Sequence, residues 1–221
     1  MAYQDPSLER YLRNWLPVVI IGGLAVGASA MFGVGDSKAI AGHCKAQPER
    51  MADLDAMSKG SMSFFKATDA RDMTGLSFRG PYGRQMTLAD FKGKTVLVTL
   101  WAEWCQVCRG SMPGLNELQR RFGRGAFEVV AVNIDNEGGP ADSAKQFMKN
   151  IGASALRPYG YDGMGPYTQF ISHGFGRGIP SSILVDAEGC LMGRLIGGAA
   201  WGTEDAVGLI KAAKKRRLPA S

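Results

Sequence analysis

The chain has 221 residues, of which 45% are hydrophobic and 21% are charged, a composition typical of a globular domain with a sizeable core and an appendage. Its net charge of +6 does not indicate nucleic-acid binding, because part of the excess is a basic cluster, residues 211–217, without interleaved aromatic residues or a binding motif. Four cysteines are too few to make a chain of this length a disulfide-stapled miniprotein, so each pair needs its own explanation.

An uncharged, apolar segment lies near the N-terminus. Residues 16–35 are long enough to cross a bilayer as a helix, and they predict a transmembrane anchor. Because Arg10 and Arg13 precede this segment, the positive-inside rule places residues 1–15 in the cytoplasm and the rest of the chain outside it. A cleaved signal peptide is the alternative, since residues 28–30 fit a small-residue cleavage site. A buried core helix is a second alternative.

The next segment, residues 36–70, shows no strong periodicity and is interpreted as a linker and cap, with a short helix over residues 49–59. A regular pattern begins at Leu76. Residues 76–88 predict a β-hairpin, because two short strand-like runs flank a turn rich in glycine and proline. The apolar run 95–100 then predicts a buried strand.

The remaining chain alternates between helical and strand patterns. The predicted elements are a helix over 105–122 bent at Pro113, a strand over 128–134, a helix over 142–151, a helical turn over 167–172, strands over 182–185 and 190–196, and a helix from an N-cap at Thr203 to Arg217. This order predicts an α/β domain over residues 71–221, with a sheet of mixed direction flanked by helices.

Two cysteines, Cys105 and Cys108, follow the predicted strand at the start of the next helix. Unpaired N–H groups and the helix dipole favour a thiolate at Cys105, and only a thiolate attacks a disulfide. Cys108 is one turn away and can resolve the resulting mixed disulfide. A zinc site is the alternative, but the other potential ligands, His43, Cys44, His173 and Cys190, are widely scattered in the sequence. A peroxidatic site with a single reactive cysteine is a further alternative.

The segment 101–113, WAEWCQVCRGSMP, resembles the active site of thioredoxin-fold proteins of the TlpA/ResA/CcmG type. These are membrane-tethered thiol-disulfide oxidoreductases of the bacterial envelope. Residues 88–94 and 178–186 also resemble motifs of that family, and the likeness covers residues 76–211. The resemblance implies a thioredoxin-like fold with an N-terminal β-hairpin extension.

The resemblance also implies roles for individual residues. Cys105 becomes the attacking thiol and Cys108 the resolving one. Pro180 is expected to be cis beside the disulfide, with the Ile179 backbone pairing with an extended substrate segment. Trp104 is expected to adjoin the active sulfur and contact substrate. For Pro180, an ordinary trans peptide bond is the alternative.

The other two cysteines, Cys44 and Cys190, resemble an extra pair found in TlpA-like members of the family. This likeness implies a structural disulfide, which requires an oxidising compartment. Two unpaired thiols or an intermolecular link are the alternatives. The chain departs from many relatives in having Gln106 and Val107, rather than a proline, between the active cysteines. Glu103 is expected to be exposed.

The implied function is reduction of disulfides in partner proteins in the periplasm, by a catalytic domain held on the cytoplasmic membrane by a single-pass anchor. The family implies copper-handling or haem-receiving partners in cytochrome oxidase or cytochrome c assembly, and a CcdA- or DsbD-like membrane electron donor. We expect no cofactor and no bound metal. One alternative is a Sco-like copper chaperone using His173, although such sites space their cysteines by three residues rather than two. The other is a disulfide oxidant.

Overall fold

The computed structural model describes residues 43–68, 70–135, 141–160 and 164–215, with residues 141–143 described through their backbone only. The predicted cytoplasmic N-terminus and anchor therefore lie outside the described residues. Every helix within the described part of the chain is too short or too polar to span a bilayer.

A six-stranded sheet of mixed direction forms the centre of the domain. In chain order, the strands among the described residues are β1 (Lys66–Ala67), β2 (Ser77–Arg79), β3 (Gln85–Thr87), β4 (Thr95–Trp101), β5 (Phe127–Asn133), β6 (Tyr159–Gly160), β7 (Ser181–Val185) and β8 (Leu191–Ile196). The sheet order is β1-β8-β7-β4-β5-β6. Strands β4, β5 and β6 are parallel, whereas β7, β8 and β1 are added antiparallel.

Strands β4 and β5 form the buried centre of this sheet. Every residue of both strands is buried, as their uninterrupted apolar runs predict for strands covered on both faces. Val98 lies opposite Val130 of β5 and Ile183 of β7. The central strand that leads to the cysteine pair is therefore fixed by neighbours on both sides.

Five helical segments, with two short 3₁₀ turns, complete the described residues. The helices are α1 (Pro48–Met57), α2 (Gln106–Phe122), α3 (Ala141–Asn150), α4 (Gly165–Ser172) and α5 (Glu204–Lys214). Helix α4 is longer than the predicted single turn, and a proline lies in its first turn, a position that proline favours. Thr203 caps α5 by accepting a hydrogen bond from the Ala206 N–H, as predicted.

Residues 48–67, interpreted from the sequence as part of a linker and cap, pack into the same core, and the helix predicted over residues 49–59 is present as α1. Leu54, Met62 and Phe65 are fully buried, and α1 packs against α5. Strand β1 pairs with β8 at the edge of the main sheet. These residues therefore share the hydrophobic core of the residues that follow them.

The predicted β-hairpin is present as a separate two-stranded sheet of β2 and β3. Its buried Phe78 contacts the rings of Phe91 and Tyr159. Burial among these residues raises the pKa of Tyr159, and the nearby Glu128 carboxylate raises it further. The hairpin is therefore anchored by aromatic packing beside strand β6.

Candidate functional site

The cysteine pair lies where the central strand gives way to helix α2. Strand β4 ends at Trp101, and the Cys105 N–H donates to the carbonyl of Ala102 in the turn that follows. Cys105 is the N-cap of α2, which begins at Gln106. A fully buried central strand of the sheet thus delivers Cys105 to the positive end of a long helix.

The two cysteines form a disulfide and differ in exposure. Cys105 is 7% exposed and Cys108 is 1% exposed, so an incoming thiolate or a partner protein meets Cys105 first. The Cys108 N–H donates to the Cys105 sulfur at 3.1 Å. The same donor would stabilise negative charge on Cys105 after reduction, because a hydrogen bond to the charged form favours that form.

A second loop reaches the same end of the sheet. The Ile179–Pro180 peptide is cis, as the resemblance implied. The carbonyl oxygen of Ile179 lies 3.8 Å from the Cys105 sulfur. Strand β7 begins directly after Pro180, and its Ser181 lies opposite Leu100 of β4. Pairing of β7 with β4 therefore brings Ile179, Pro180 and Cys105 together across 74 residues of sequence.

Exposed apolar side chains lie next to the cysteines in the sequence and opposite Ser181, the residue after Pro180. Trp104 is 73% exposed, and Val107 and Ile196 are exposed as well. The Val107 side chain lies against Gly198, and the Gly197 N–H donates to the carbonyl of Pro180. The contribution of Ile196 and the following glycines was missed in the sequence analysis. The sequence signal for this part of the site was the glycine pair Gly197 and Gly198, directly after β8.

The acidic residue Glu103 is half-buried rather than exposed as expected. Its N–H donates to an Asp135 carboxylate oxygen at 3.0 Å, and the Asn133 side chain donates to the same oxygen. Burial raises the pKa of Glu103, and the charge of Asp135 raises it further. Two carboxyl groups therefore interact beside the turn that carries the redox pair.

The second cysteine pair is a Cys44–Cys190 disulfide, the pairing that the resemblance implied. It joins the segment before α1 to the turn before β8. His173 lies elsewhere and stacks on the ring of Phe175. Within the described part of the chain, no cluster of metal-binding side chains includes His173 or the active-site cysteines.

Comparison with known proteins gives one family and a consistent set of relatives. The sequence profile of the Redoxin family matches residues 65–208. The thiol:disulfide interchange protein CycY of Rhizobium leguminosarum bv. viciae is 28% identical over 191 residues, which cover 86% of this chain and 87% of that protein. The thiol-disulfide oxidoreductase ResA of Bacillus thuringiensis (strain Al Hakam) is 30% identical over 123 residues, covering 52% of this chain and 62% of ResA. The match thus spans less than two thirds of ResA.

A solved structure shares the architecture. A protein from Chlorobium tepidum, described as a thiol:disulfide interchange protein DsbE, aligns with a TM-score of 0.55 and 28% sequence identity. The alignment covers 67% of this chain and 99% of the Chlorobium protein. The predicted thioredoxin-like α/β fold is confirmed.

Proposed function

This chain belongs to the Redoxin family and is a thiol-disulfide oxidoreductase, and from this premise we propose that it is a protein-disulfide reductase working on the outer side of the cytoplasmic membrane. One observation supports the proposal most directly. The more exposed cysteine of the pair, Cys105, is also the one at the helix N-terminus, and its sulfur lies 3.8 Å from the Ile179 carbonyl oxygen.

The proposed reaction transfers two electrons to a target disulfide. In the reduced enzyme, the Cys105 thiolate attacks one target sulfur, and the other target sulfur leaves as a thiolate that takes up a proton. Cys108 then loses its proton and attacks the Cys105 sulfur of the mixed disulfide. The target departs with two thiols, and the enzyme is left with the Cys105–Cys108 disulfide.

An extended segment of the target would lie along Ile179 and Pro180, because a free backbone edge binds another extended chain through main-chain hydrogen bonds. Trp104 would cover the segment from the other side, since its large exposed ring offers apolar area close to the sulfur.

The proposed location and partners rest on the sequence. The apolar segment 16–35 supports a single-pass anchor with the catalytic domain in the periplasm. In that compartment, thiols that must bind copper or haem need a dedicated reductant. The resemblance to the TlpA/ResA/CcmG type supports partners of this kind, in cytochrome oxidase or cytochrome c assembly. A CcdA- or DsbD-like membrane protein would return the enzyme to its dithiol form.

The test is the reduction potential of the Cys105–Cys108 pair in the full chain, measured by equilibration with glutathione buffers. A value near that of thioredoxin, about −270 mV, is expected for a reductant. A value near that of DsbA, about −120 mV, would instead show a disulfide oxidant.

The assignment of the two cysteines has its own test. A reduced Cys108→Ser variant is expected to accumulate a mixed disulfide with a disulfide-containing target, because the attacking thiol remains and the resolving thiol is lost. The matched Cys105→Ser variant should accumulate none. The reverse pattern would show that Cys108 attacks first.

A further inference from the structure

We propose that Cys44, Cys190 and His43 form a second site, which binds a thiophilic metal ion such as Zn²⁺ when the Cys44–Cys190 disulfide is reduced. The three residues are separated by up to 147 positions in the sequence. The fold brings their ligand atoms, two sulfurs and one imidazole nitrogen, to within 4.8 Å of one another.

The distances suit a metal ion once the sulfur–sulfur bond is opened. Zinc–sulfur bonds of about 2.3 Å and zinc–nitrogen bonds of about 2.0 Å place tetrahedral ligands roughly 3.5–3.8 Å apart. The Cys44 sulfur already lies 3.5 Å from Nε2 of His43. Reduction needs only to let the Cys190 sulfur withdraw from Cys44 while remaining near the ring. The site is therefore assembled before the metal arrives.

A carboxylate behind the histidine gives independent support. Oδ2 of Asp72 lies 3.9 Å from Nδ1 of His43, while Oδ1 accepts hydrogen bonds from the N–H and hydroxyl of Thr74. Asp72 is also held by its backbone bridge to Cys190. Metal-binding histidines commonly direct their second nitrogen at a carboxylate, which fixes the ring orientation. Here the Asp72 carboxylate lies on the Nδ1 side of the ring, within reach of a hydrogen bond after a small shift, and Nε2 lies on the side of the Cys44 sulfur.

The cluster is accessible on the side of His43. His43 and Cys44 are exposed and half-buried, respectively, and His43 lines a cavity of about 490 Å³ that also reaches Glu188. Nε2 of His43 now contacts the Glu188 carbonyl at 3.0 Å, and metal binding would replace this contact. Two thiolates and one imidazole favour soft or borderline ions, Zn²⁺ or Cu⁺, over Mg²⁺ or Ca²⁺.

The chemistry balances with an external dithiol as the reductant. The dithiol reduces the Cys44–Cys190 disulfide to two thiols and itself becomes a disulfide. Binding of Zn²⁺ then releases two protons, one from each thiol, and the neutral imidazole completes a Cys₂His ligand set. The metal would replace the covalent link between the segment before α1 and the turn before β8. Loss of the disulfide would thus not free this segment.

The test uses the full chain with Cys105→Ser and Cys108→Ser, so that the active-site dithiol cannot bind metal. The protein is reduced, freed of reductant under anaerobic conditions and titrated with Zn²⁺ against a chromophoric chelator. Reduced protein is expected to bind one Zn²⁺ per chain and the oxidised protein none. Co²⁺ in place of Zn²⁺ should give a thiolate-to-metal charge-transfer band. His173→Ala, which removes the only other histidine, should leave binding unchanged.

Two variants of the exposed residues identify the ligand set. Asp72→Asn is expected to weaken Zn²⁺ binding by about tenfold, and His43→Ala should weaken it further. Far-UV circular dichroism checks that the reduced protein keeps its helices. Binding that is unaffected by His43→Ala would overturn the proposal, because two thiols alone would then account for it. Loss of the helical signal on reduction would overturn it as well, since the site requires the folded chain.

Discussion

At the scale of single residues, the carboxyl groups of Glu103 and Asp135 are the unexpected feature beside the redox pair. Burial and the Asp135 charge raise the pKa of Glu103 above its ordinary value. The folded chain therefore binds a proton at Glu103 more readily than the unfolded chain does. As the pH rises through the interval between the ordinary and the raised pKa, ionisation of Glu103 costs stability, and this cost remains at higher pH.

We predict that Glu103→Gln raises the melting temperature at pH 7, because it removes this cost. The gain should disappear at about pH 3.5, below the ordinary glutamate pKa of about 4.3, where Glu103 is protonated in both states. Thermal unfolding at the two pH values measures the effect. Glu117→Gln on the exposed surface of α2 is the control. A Glu103→Gln gain of equal size at both pH values would contradict the electrostatic explanation.

At the scale of elements, helix α2 approaches the loop before α5 through a glycine. A methyl group at Gly114 would lie 2.4 Å from the Gly202 nitrogen and 2.9 Å from the Trp201 carbonyl carbon. At Gly110, in the same helix, a methyl group would meet no atom within 4 Å. Gly114 thus permits a close contact between α2 and the loop, whereas Gly110 only lowers the helix propensity of α2.

These glycines give a matched pair of predictions. Gly114→Ala should lower the free energy of unfolding by about 1–3 kcal/mol, because backbone atoms must move apart. Gly110→Ala should raise the free energy of unfolding by about 0.5–1 kcal/mol. Urea unfolding measures both. Equal effects of the two substitutions would show that the contact between α2 and the loop is not tight.

Helix α1 is joined to the sheet by an ion pair. The Arg50 guanidinium donates to Asp186 at 3.0 Å, and the two side chains are only 13% and 3% exposed. Asp186 also accepts from the backbone N–H groups of Glu188 and Cys190. The carboxylate therefore connects α1 to the turn between β7 and β8.

Removing the arginine should leave a buried carboxylate without its cation. We predict that Arg50→Met lowers the free energy of unfolding by about 3 kcal/mol or more. Arg50→Lys should lower the free energy of unfolding by less, because lysine keeps the positive charge. Some loss is still expected, because lysine lacks the planar guanidinium. Urea unfolding of the two variants tests this order. No loss of stability in Arg50→Met would mean that the ion pair with Asp186 does not hold α1 to the sheet.

At the scale of the whole molecule, the sequence predicts those parts of the fold whose signal is local. The apolar runs of β4 and β5 mark the centre of the sheet, and Thr203 marks the start of α5. The CxxC motif, placed between strand and helix, identifies the redox pair. In each case the signal comes from residues that are adjacent in the sequence.

Features that depend on distant residues escaped prediction. Strand β1 is two residues long and exists because it pairs with β8 at Arg194 and Gly193. Glu103 is half-buried because Asp135, from the end of another strand, binds its backbone. His43 is adjacent to Cys44 in the sequence but far from Cys190, and the fold brings all three together. A single sequence contains no local signal for these contacts.

The Cys44–Cys190 disulfide acts on the molecule as a whole, because it closes a loop with a sequence separation of 146. Loop-closure entropy gives about 5 kcal/mol of stabilisation for such a loop, before native-state effects. The Cys105–Cys108 disulfide has a separation of only 3, and the same relation gives about 2 kcal/mol. The Cys44–Cys190 disulfide should therefore contribute more to the free energy of unfolding than the Cys105–Cys108 disulfide does.

We predict that Cys44→Ala with Cys190→Ala lowers the free energy of unfolding by about 2–5 kcal/mol under non-reducing conditions. Cys105→Ala with Cys108→Ala is the matched control. It should lower the free energy of unfolding by less, because the Cys105–Cys108 disulfide closes only a short loop in the unfolded chain. Urea unfolding of both double variants, compared with the oxidised protein, gives the difference. If the two double variants lost the same free energy, the Cys44–Cys190 bond would act through local contacts around α1 and β8. A larger loss for the Cys44–Cys190 pair would identify it as the cross-link that restricts the unfolded chain.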